Sequence, residues 1–206
     1  MQVLFLVSAC SFKNEIDSNY YCQKLKFKCI QNNYVVQFKT TKGDFEVKLF
    51  GKDNPVTVSN FLENINNDIY VNQKFYKILN FPKISFIHGG VNPENKLYIK
   101  QIQTFNKTSP SIPLEIKFKE EIKPRYKYQI NNPNETENLV NTFESGSMAM
   151  VKSGKDKSSS TEFFFVTSNI PELDGRYSIF GKIIKGLDVL KKIKNEDYIK
   201  TVQISN

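Results

Sequence analysis

Phe163-Phe-Phe-Val166 is an uninterrupted apolar run, followed by Pro171-Glu-Leu-Asp-Gly175 and then by Ile179-Phe-Gly-Lys-Ile183. A short apolar run of this kind reads as a strand covered on both faces, although a buried helical segment has the same periodicity. Asp174-Gly175 is a hairpin-type turn signal. Ile179, Gly181 and Ile183 alternate with Phe180 and Lys182, which is the period of a second strand. Strand, turn and strand over Thr161 to Gly186 therefore organise what the rest of the chain can do.

The upstream half supplies more short strands. Lys24-Leu-Lys-Phe-Lys-Cys29 alternates strictly, predicting a strand with one wet and one apolar face. Asn32-Asn33 turns the chain into a second strand over Val35 to Thr40. Lys42-Gly43 turns it again into a third, where Phe45, Val47 and Leu49 share one face. A helix follows over residues 55–66, with Asp53 or Asn54 as its cap, Pro55 in the first turn and Val58, Phe61, Leu62 and Ile65 on one side. Tyr70 to Ile78 returns to strand. Pro82 breaks the apolar stretch from Phe81 to Phe86, which makes it an edge or irregular segment. Ser145 to Val151 reads as strand, Leu187 to Lys194 as a last helix, and Val202 to Ile204 as the closing strand. Many short strands with two capped helices predict a mainly β, closed antiparallel barrel.

The chain has 206 residues and a net charge of +8, enough for one sizeable core. Lysine supplies nearly all of the positive charge and is scattered along strands rather than blocked. No nucleic-acid recognition motif accompanies it, so nucleic acid is not expected as a partner. Cys10, Cys22 and Cys29 form no Cys-x-x-Cys pair, and His88 is the single histidine. That excludes a multi-histidine metal site, and no cofactor is expected.

Met1 to Cys10 begins with the apolar run Val3 to Val7 and ends in Val7-Ser-Ala-Cys10. It resembles the lipobox of bacterial lipoproteins, which implies lipidation at Cys10 and a membrane-anchored place in a bacterial cell envelope. No Lys or Arg precedes the run and the run is short. The alternatives are therefore a true start further upstream, or a plain buried strand in a cytoplasmic protein. The organisation expected is a signal-like segment at 1–10, a polar tether at 11–23 and one domain at 24–206. In an oxidising space Cys22 and Cys29 could close a small loop. Against this, an extended Lys24–Lys28 strand would hold their Cα atoms roughly 23 Å apart, so a bond requires the chain to fold back.

Five pieces in order resemble one family. They are Thr41-Lys-Gly-Asp-Phe-Glu-Val-Lys-Leu-Phe50, Asn54-Pro-Val-Thr-Val-Ser-Asn-Phe61, Phe75-Tyr-Lys-Ile78 with His88-Gly-Gly90, Gly146-Ser-Met-Ala-Met150, and the stretch from Phe163 to Gly186. Together they are similar to the cyclophilins, the peptidyl-prolyl cis-trans isomerases built on an eight-stranded barrel, over roughly residues 35–205. The resemblance implies a monomer that acts on proline-containing polypeptides. Residues 91–144 depart from it, being lysine-rich and free of glycine. Ile112-Pro-Leu-Glu115 resembles a family landmark within them.

Rotation about an Xaa-Pro bond faces a barrier of roughly 20 kcal/mol, because the amide C–N bond is partly double. A catalyst needs an apolar pocket and one donor aimed at the prolyl nitrogen, with no nucleophile or metal. The resemblance implies Lys77 at the donor position, where the family has arginine. A solvated strand lysine is the plain alternative. It implies a proline pocket of Phe164 and Leu173 with Met148 and Ala149 near it, and Phe86 as an aromatic wall. Phe164 could equally be simple core. Other polar positions differ from the family: His88 and Glu162 stand where it has Gln, Met150 where it has Asn, Glu172 for Trp and Tyr177 for His. His88 is read as a second hydrogen-bond donor or as structural. Three functions follow: an isomerase, a module that binds proline peptides with little catalysis, or a structural domain whose groove is filled by 91–144.

Overall fold

The computed structural model describes residues 17–105 and 109–205, and its frame is a run of antiparallel strands that begins with a hairpin. β1 (Tyr34–Thr40) and β2 (Gly43–Leu49) pair from Tyr34–Leu49 to Thr40–Gly43. Their period-2 pattern turns Val36, Phe38, Phe45, Val47 and Leu49 to the interior, none more than 1% exposed. Two further strands follow α2 (Pro55–Asn66): β3 (Lys77–Asn80) and β4 (Ser85–Gly90). The inserted segment carries α3 (Lys96–Phe105), β5 (Ser111–Pro113), β6 (Glu115–Ile116) and β7 (Arg125–Tyr126). Then come β8 (Ser147–Lys152), β9 (Lys157–Val166), β10 (Ile179–Lys185), α4 (Leu187–Leu190) and β11 (Ile199–Ile204).

The main sheet has nine strands in the order β11-β1-β2-β10-β8-β9-β4-β3, with β5 added to β9, while β6 and β7 pair separately. The barrel expected from the sequence is thus a strongly curled half-barrel, not a closed one. Edge strands β3 and β11 do not pair in the ladder. The segments leading into them meet instead, through a Lys74–Tyr198 bridge and the Phe75 N–H donating to the Asp197 carbonyl at 2.8 Å. Inside the curl Phe38 stacks on Phe45 at 4.8 Å and meets Phe165 edge-on at 5.9 Å, while Phe61 of α2 meets Phe163 edge-on at 5.8 Å. Such pairs contribute about 0.5–1.5 kcal/mol each beyond burial.

Helix α2 matches its expected range and buries Val58, Phe61, Leu62 and Ile65. Its N-terminus departs from expectation. Asn54 is the N-cap but makes no side-chain cap bond. The free N–H groups of Val56 and Thr57 donate instead to the two carboxylate oxygens of Glu115, at 3.0 and 2.7 Å, and the Thr57 hydroxyl donates at 2.6 Å. A buried acid at a helix N-terminus satisfies orphan donors and complements the helix dipole. Asn60 and Asn64 tie the same helix to β9 by donating to the Ser160 carbonyl at 2.6 and 2.7 Å.

Two capping helices were expected and four α-helices are present among the described residues. The last, expected over 187–194, is one turn, Leu187–Leu190, although Leu190 and Ile193 are both buried. The strand expected over Lys24 to Cys29 is absent. α1 (Ser18–Lys24) ends there, Lys26 takes a positive φ of 64°, and the Phe27 N–H returns to the Cys22 carbonyl at 3.0 Å. That fold-back brings the Cα atoms of Cys22 and Cys29 to 5.4 Å and joins them in a disulfide. Tyr21 and Cys22 of α1 pack on Val56 of α2. Cys10 and the apolar run before it lie outside the described residues.

Candidate functional site

Sheet register builds the site. Lys77 pairs with His88 across β3–β4, His88 with Phe164 across β4–β9, Phe164 with Ala149 across β9–β8, and Ala149 with Ile179 across β8–β10. This row of side chains runs across the outer face of the sheet, because Ile78, Ile87, Phe163, Phe165, Met148 and Met150 take the inner face with the main core. Strand spacing of about 4.8 Å puts the Lys77 and Phe164 backbones about 10 Å apart.

Phe164 is the floor, 3% exposed. Around it lie Phe86 at 6.0 Å between ring centroids, His88 at 5.5 Å and nearly parallel, Phe143 at 5.8 Å and Tyr177 at 5.3 Å edge-on. Leu173, Phe86 and Tyr177 are half-buried against this second apolar cluster. The loop after β9 is held by Asp174, which accepts from the Phe143 N–H at 2.7 Å. Gly175 has φ +70° and Ile130 so close that a Cβ would lie 2.5 Å from it, so only glycine turns the chain here.

The polar groups ring this floor. Lys77 is exposed and makes no ion pair among the described residues. Burial, and then the Lys77 charge, lower the His88 imidazole to about 4, so it is neutral at pH 7 and keeps one donor and one acceptor nitrogen. Glu162, two residues before Phe164, accepts from the Tyr76 hydroxyl at 2.9 Å and the Ser159 hydroxyl at 3.1 Å. Burial and the Glu162 charge push the Tyr76 phenol far above its usual value, so it remains a donor. Lys152 stands 5.9 Å from the Tyr177 ring centroid. Among the described residues no cluster of His, Cys, Asp or Glu is placed to hold a metal.

Of the residues named from sequence, Lys77, His88, Phe86, Ala149, Glu162, Phe164, Leu173 and Tyr177 come together on this face. Met148 does not: it points into the main core with no exposed surface. Strand alternation sends Met148 and Ala149 to opposite sides, and only one can line the groove. Sequence reasoning missed Phe143 and Tyr76. Tyr76 stands next to Lys77 in Phe75-Tyr-Lys77 and could have been flagged from that. Phe143 follows a polar insertion and carries no local signal.

The curled half-barrel sheet agrees with comparison to known proteins. The family model for cyclophilin-type peptidyl-prolyl cis-trans isomerases matches residues 35–206. This chain belongs to the cyclophilin-type isomerases. A peptidyl-prolyl cis-trans isomerase of Helicobacter pylori is 32% identical over 173 residues, covering 82% of this chain and 85% of the relative. One from Arabidopsis thaliana is 27% identical over 158 residues, covering 77% and 79%. Among solved structures, a Cryptosporidium parvum cyclophilin-type isomerase superposes with a TM-score of 0.59 at 23% identity, covering 85% of this chain and 99% of that one. A cyclophilin from Hirschia baltica gives 0.56 at 16% identity, covering 91% and 80%. In this cyclophilin α3 stands beside the groove, next to Glu162.

Proposed function

We propose that the chain isomerises Xaa-Pro bonds of polypeptides in the groove over Phe164, with Lys77 as the donor to the prolyl nitrogen. The observation that carries this reading is the cross-strand row Lys77–His88–Phe164–Ala149. A prolyl ring on Phe164, walled by Phe86, Leu173 and Tyr177, leaves water, and its twisted amide is favoured by loss of conjugation in an apolar setting. As the amide twists, the nitrogen lone pair localises and becomes an acceptor. The Lys77 ammonium supplies the charge-assisted hydrogen bond, and neutral His88 beside it can orient the peptide carbonyl. A related Cryptosporidium parvum isomerase was solved in the presence of the dipeptide Ala-Pro, which supports proline-containing peptides as the ligand class.

Lysine is a mobile point charge without the planar fork of guanidinium, so the donor is weaker than an arginine. That favours, as a second reading, a groove that binds proline peptides and turns them over slowly. NMR exchange spectroscopy on an Ala-Pro peptide separates the two. Cis–trans exchange cross-peaks on adding protein support catalysis. Shifted but non-exchanging peaks support binding alone, and unchanged spectra refute both.

We propose further that the protein matures in a bacterial envelope compartment, anchored through lipid on Cys10. The Cys22–Cys29 disulfide supports this, because such bonds persist in oxidising spaces. Intact-mass measurement of membrane-fraction protein tests it: an acylated chain starting at Cys10 is expected, and an unmodified soluble chain starting at Met1 refutes it.

A further inference from the structure

The hairpin of β6 and β7 carries a loop, residues 117–124, with Ile122 at its tip. Ile122 is 95% exposed, more than any other large apolar side chain among the described residues. One exposed isoleucine says little by itself. Its surroundings say more. Lys119, Lys123 and Lys127 stand exposed around it, and residues 117–128 hold five Lys or Arg against two Glu, a surplus of three positive charges. The loop is also braced. The Arg125 guanidinium lies 4.1 Å from the Phe118 ring centroid and 4.9 Å from that of Tyr128, and its Nε donates to Glu121 at 2.8 Å. Pro124 is buried beneath the tip, so Ile122 is held outward. Finally, Asp17 lies 3.7 Å from the Lys123 ammonium, and Tyr21 of α1 packs on Tyr126 of β7 at 4.7 Å between ring centroids. Whatever precedes Asp17 therefore leaves the domain beside this tip.

We propose that the β6–β7 tip docks on an anionic lipid surface, with Ile122 inserted among the headgroups and the flanking lysines over the lipid phosphates. Lipid suits this tip better than a protein partner does. The centres of protein interfaces are poor in lysine and rely on aromatic or arginine anchors. Here the loop's one arginine is folded back on Phe118, and lysines surround the apolar residue. At a bilayer surface that arrangement is favourable, because the apolar side chain leaves water while lysine stems lie along the interface with their ammonium groups among anionic headgroups. Attraction by the charges and burial of the isoleucine are each weak, and they act together. The protein's overall charge of +8 adds to the attraction within a Debye length of about 8 Å. The place of the loop in the cell rests on the reading of Cys10 as a lipid anchor. Seven peptide steps from Cys10 to Asp17 span at most about 25 Å, so such an anchor holds this side of the domain close to the bilayer. The affinity of the tip for lipid does not depend on that reading.

The chain contains no tryptophan, so Ile122→Trp places a single indole at the tip. The test uses the full chain with Cys10→Ser, which cannot be acylated there. It is mixed with vesicles of phosphatidylcholine alone or of phosphatidylcholine with phosphatidylglycerol. Ile184→Trp, at a 53% exposed position on β10, reports from outside the loop. With phosphatidylglycerol present, the Ile122→Trp emission is expected to shift to the blue and to be quenched by brominated acyl chains, while the Ile184→Trp emission stays unchanged. Vesicle sedimentation of the protein without an added indole is expected to weaken about fivefold for each of Lys123→Gln and Lys127→Gln, and about tenfold for Ile122→Ser. Binding is expected to fall as salt rises. Emission of Ile122→Trp that ignores phosphatidylglycerol vesicles overturns the proposal. Equal shifts at both indole positions overturn it too, as non-specific adsorption, and so does a shift that follows protein concentration without vesicles, which assigns the tip to a second copy of the chain. Sedimentation unaffected by the two lysine substitutions overturns the role given to anionic lipid. The anchor is judged separately by the mass at Cys10: an unacylated chain whose tip still inserts refutes the anchor and keeps the loop, and an acylated chain whose tip does not insert does the reverse.

Discussion

Lys77 of β3 and His88 of β4 stand opposite one another in register, and the lysine charge is one of the two reasons that His88 is neutral at pH 7. Beside the Lys77 ammonium the rim of the groove therefore carries a neutral imidazole. A charge appears on His88 only when the solution is acid enough to force a proton onto a half-buried ring beside an ammonium.

The first expected outcome is a flat pH profile for kcat/KM between about pH 6 and 8, with a fall toward the His88 value of about 4. His88→Gln removes the titrating group and is expected to flatten that acid limb. A limb centred near 6.5, the ordinary histidine value, contradicts the assigned environment. The same group has a sign for stability. Its folded value lies below its unfolded one, so it contributes stability that is complete above about 6.5 and is lost as pH falls through about 4.

Glu115 works in the opposite direction. Burial raises it to about 7 against the pull of its Thr57 and Val56 hydrogen bonds. A carboxyl with a raised folded value stabilises most below about 4.5 and loses that contribution as pH rises through 7, on the order of 3 kcal/mol in all. Glu115→Gln is expected to flatten the decline of stability between pH 5 and 7.5 in urea titrations. Glu115→Ala leaves two buried N–H groups unpaired and is expected to cost about 1–3 kcal/mol for each. A Glu115→Gln protein whose stability still declines over that range shows that another group causes it.

The frame of the fold is legible in the sequence wherever strand alternation is strong. Phe45, Val47 and Leu49 sort by period two, and Pro55 with Val58, Phe61 and Leu62 marks α2 without any tertiary information. Three things are not legible, each for a physical reason. Lys24 to Cys29 alternates like a strand, but Lys26 in the left-handed region and a covalent Cys22–Cys29 link override a pattern six residues long. The cap of α2 comes from Glu115, far along the chain, so no local motif announces it. α3 lies in a lysine-rich insertion where Tyr98, Ile99 and Ile102 form only a narrow stripe. At the site, Lys77, His88 and Phe164 are named from the sequence through the family resemblance, and cross-strand register brings them to one face. Met148 is misplaced because a Met-Ala pair does not say which of the two faces out.

The Cys22–Cys29 link closes a short loop, with a sequence separation of 7, that holds α1 on α2. Loop-closure entropy gives about 2–3 kcal/mol for a ring of that size. Reduction, or the Cys22→Ser and Cys29→Ser pair, is expected to lower the unfolding free energy from urea titration by that amount and to raise hydrogen exchange in α1 before the main sheet. Unchanged exchange in α1 on reduction shows that packing of Tyr21 on Val56 and Tyr126 suffices without the bond.

The most direct measurement is the rate of a proline-limited refolding reaction with catalytic amounts of the parent, Lys77→Arg, Lys77→Ala and Phe164→Ala. If Lys77 donates to the prolyl nitrogen above Phe164, the parent accelerates refolding. Lys77→Arg then gains about ten- to a hundredfold, the equivalent of roughly 1–3 kcal/mol for a better charged hydrogen bond. Lys77→Ala loses activity, and Phe164→Ala abolishes both acceleration and peptide binding while circular dichroism still reports the β-sheet. A parent that accelerates refolding equally well with Ala at position 77 and Ala at position 164 contradicts the account.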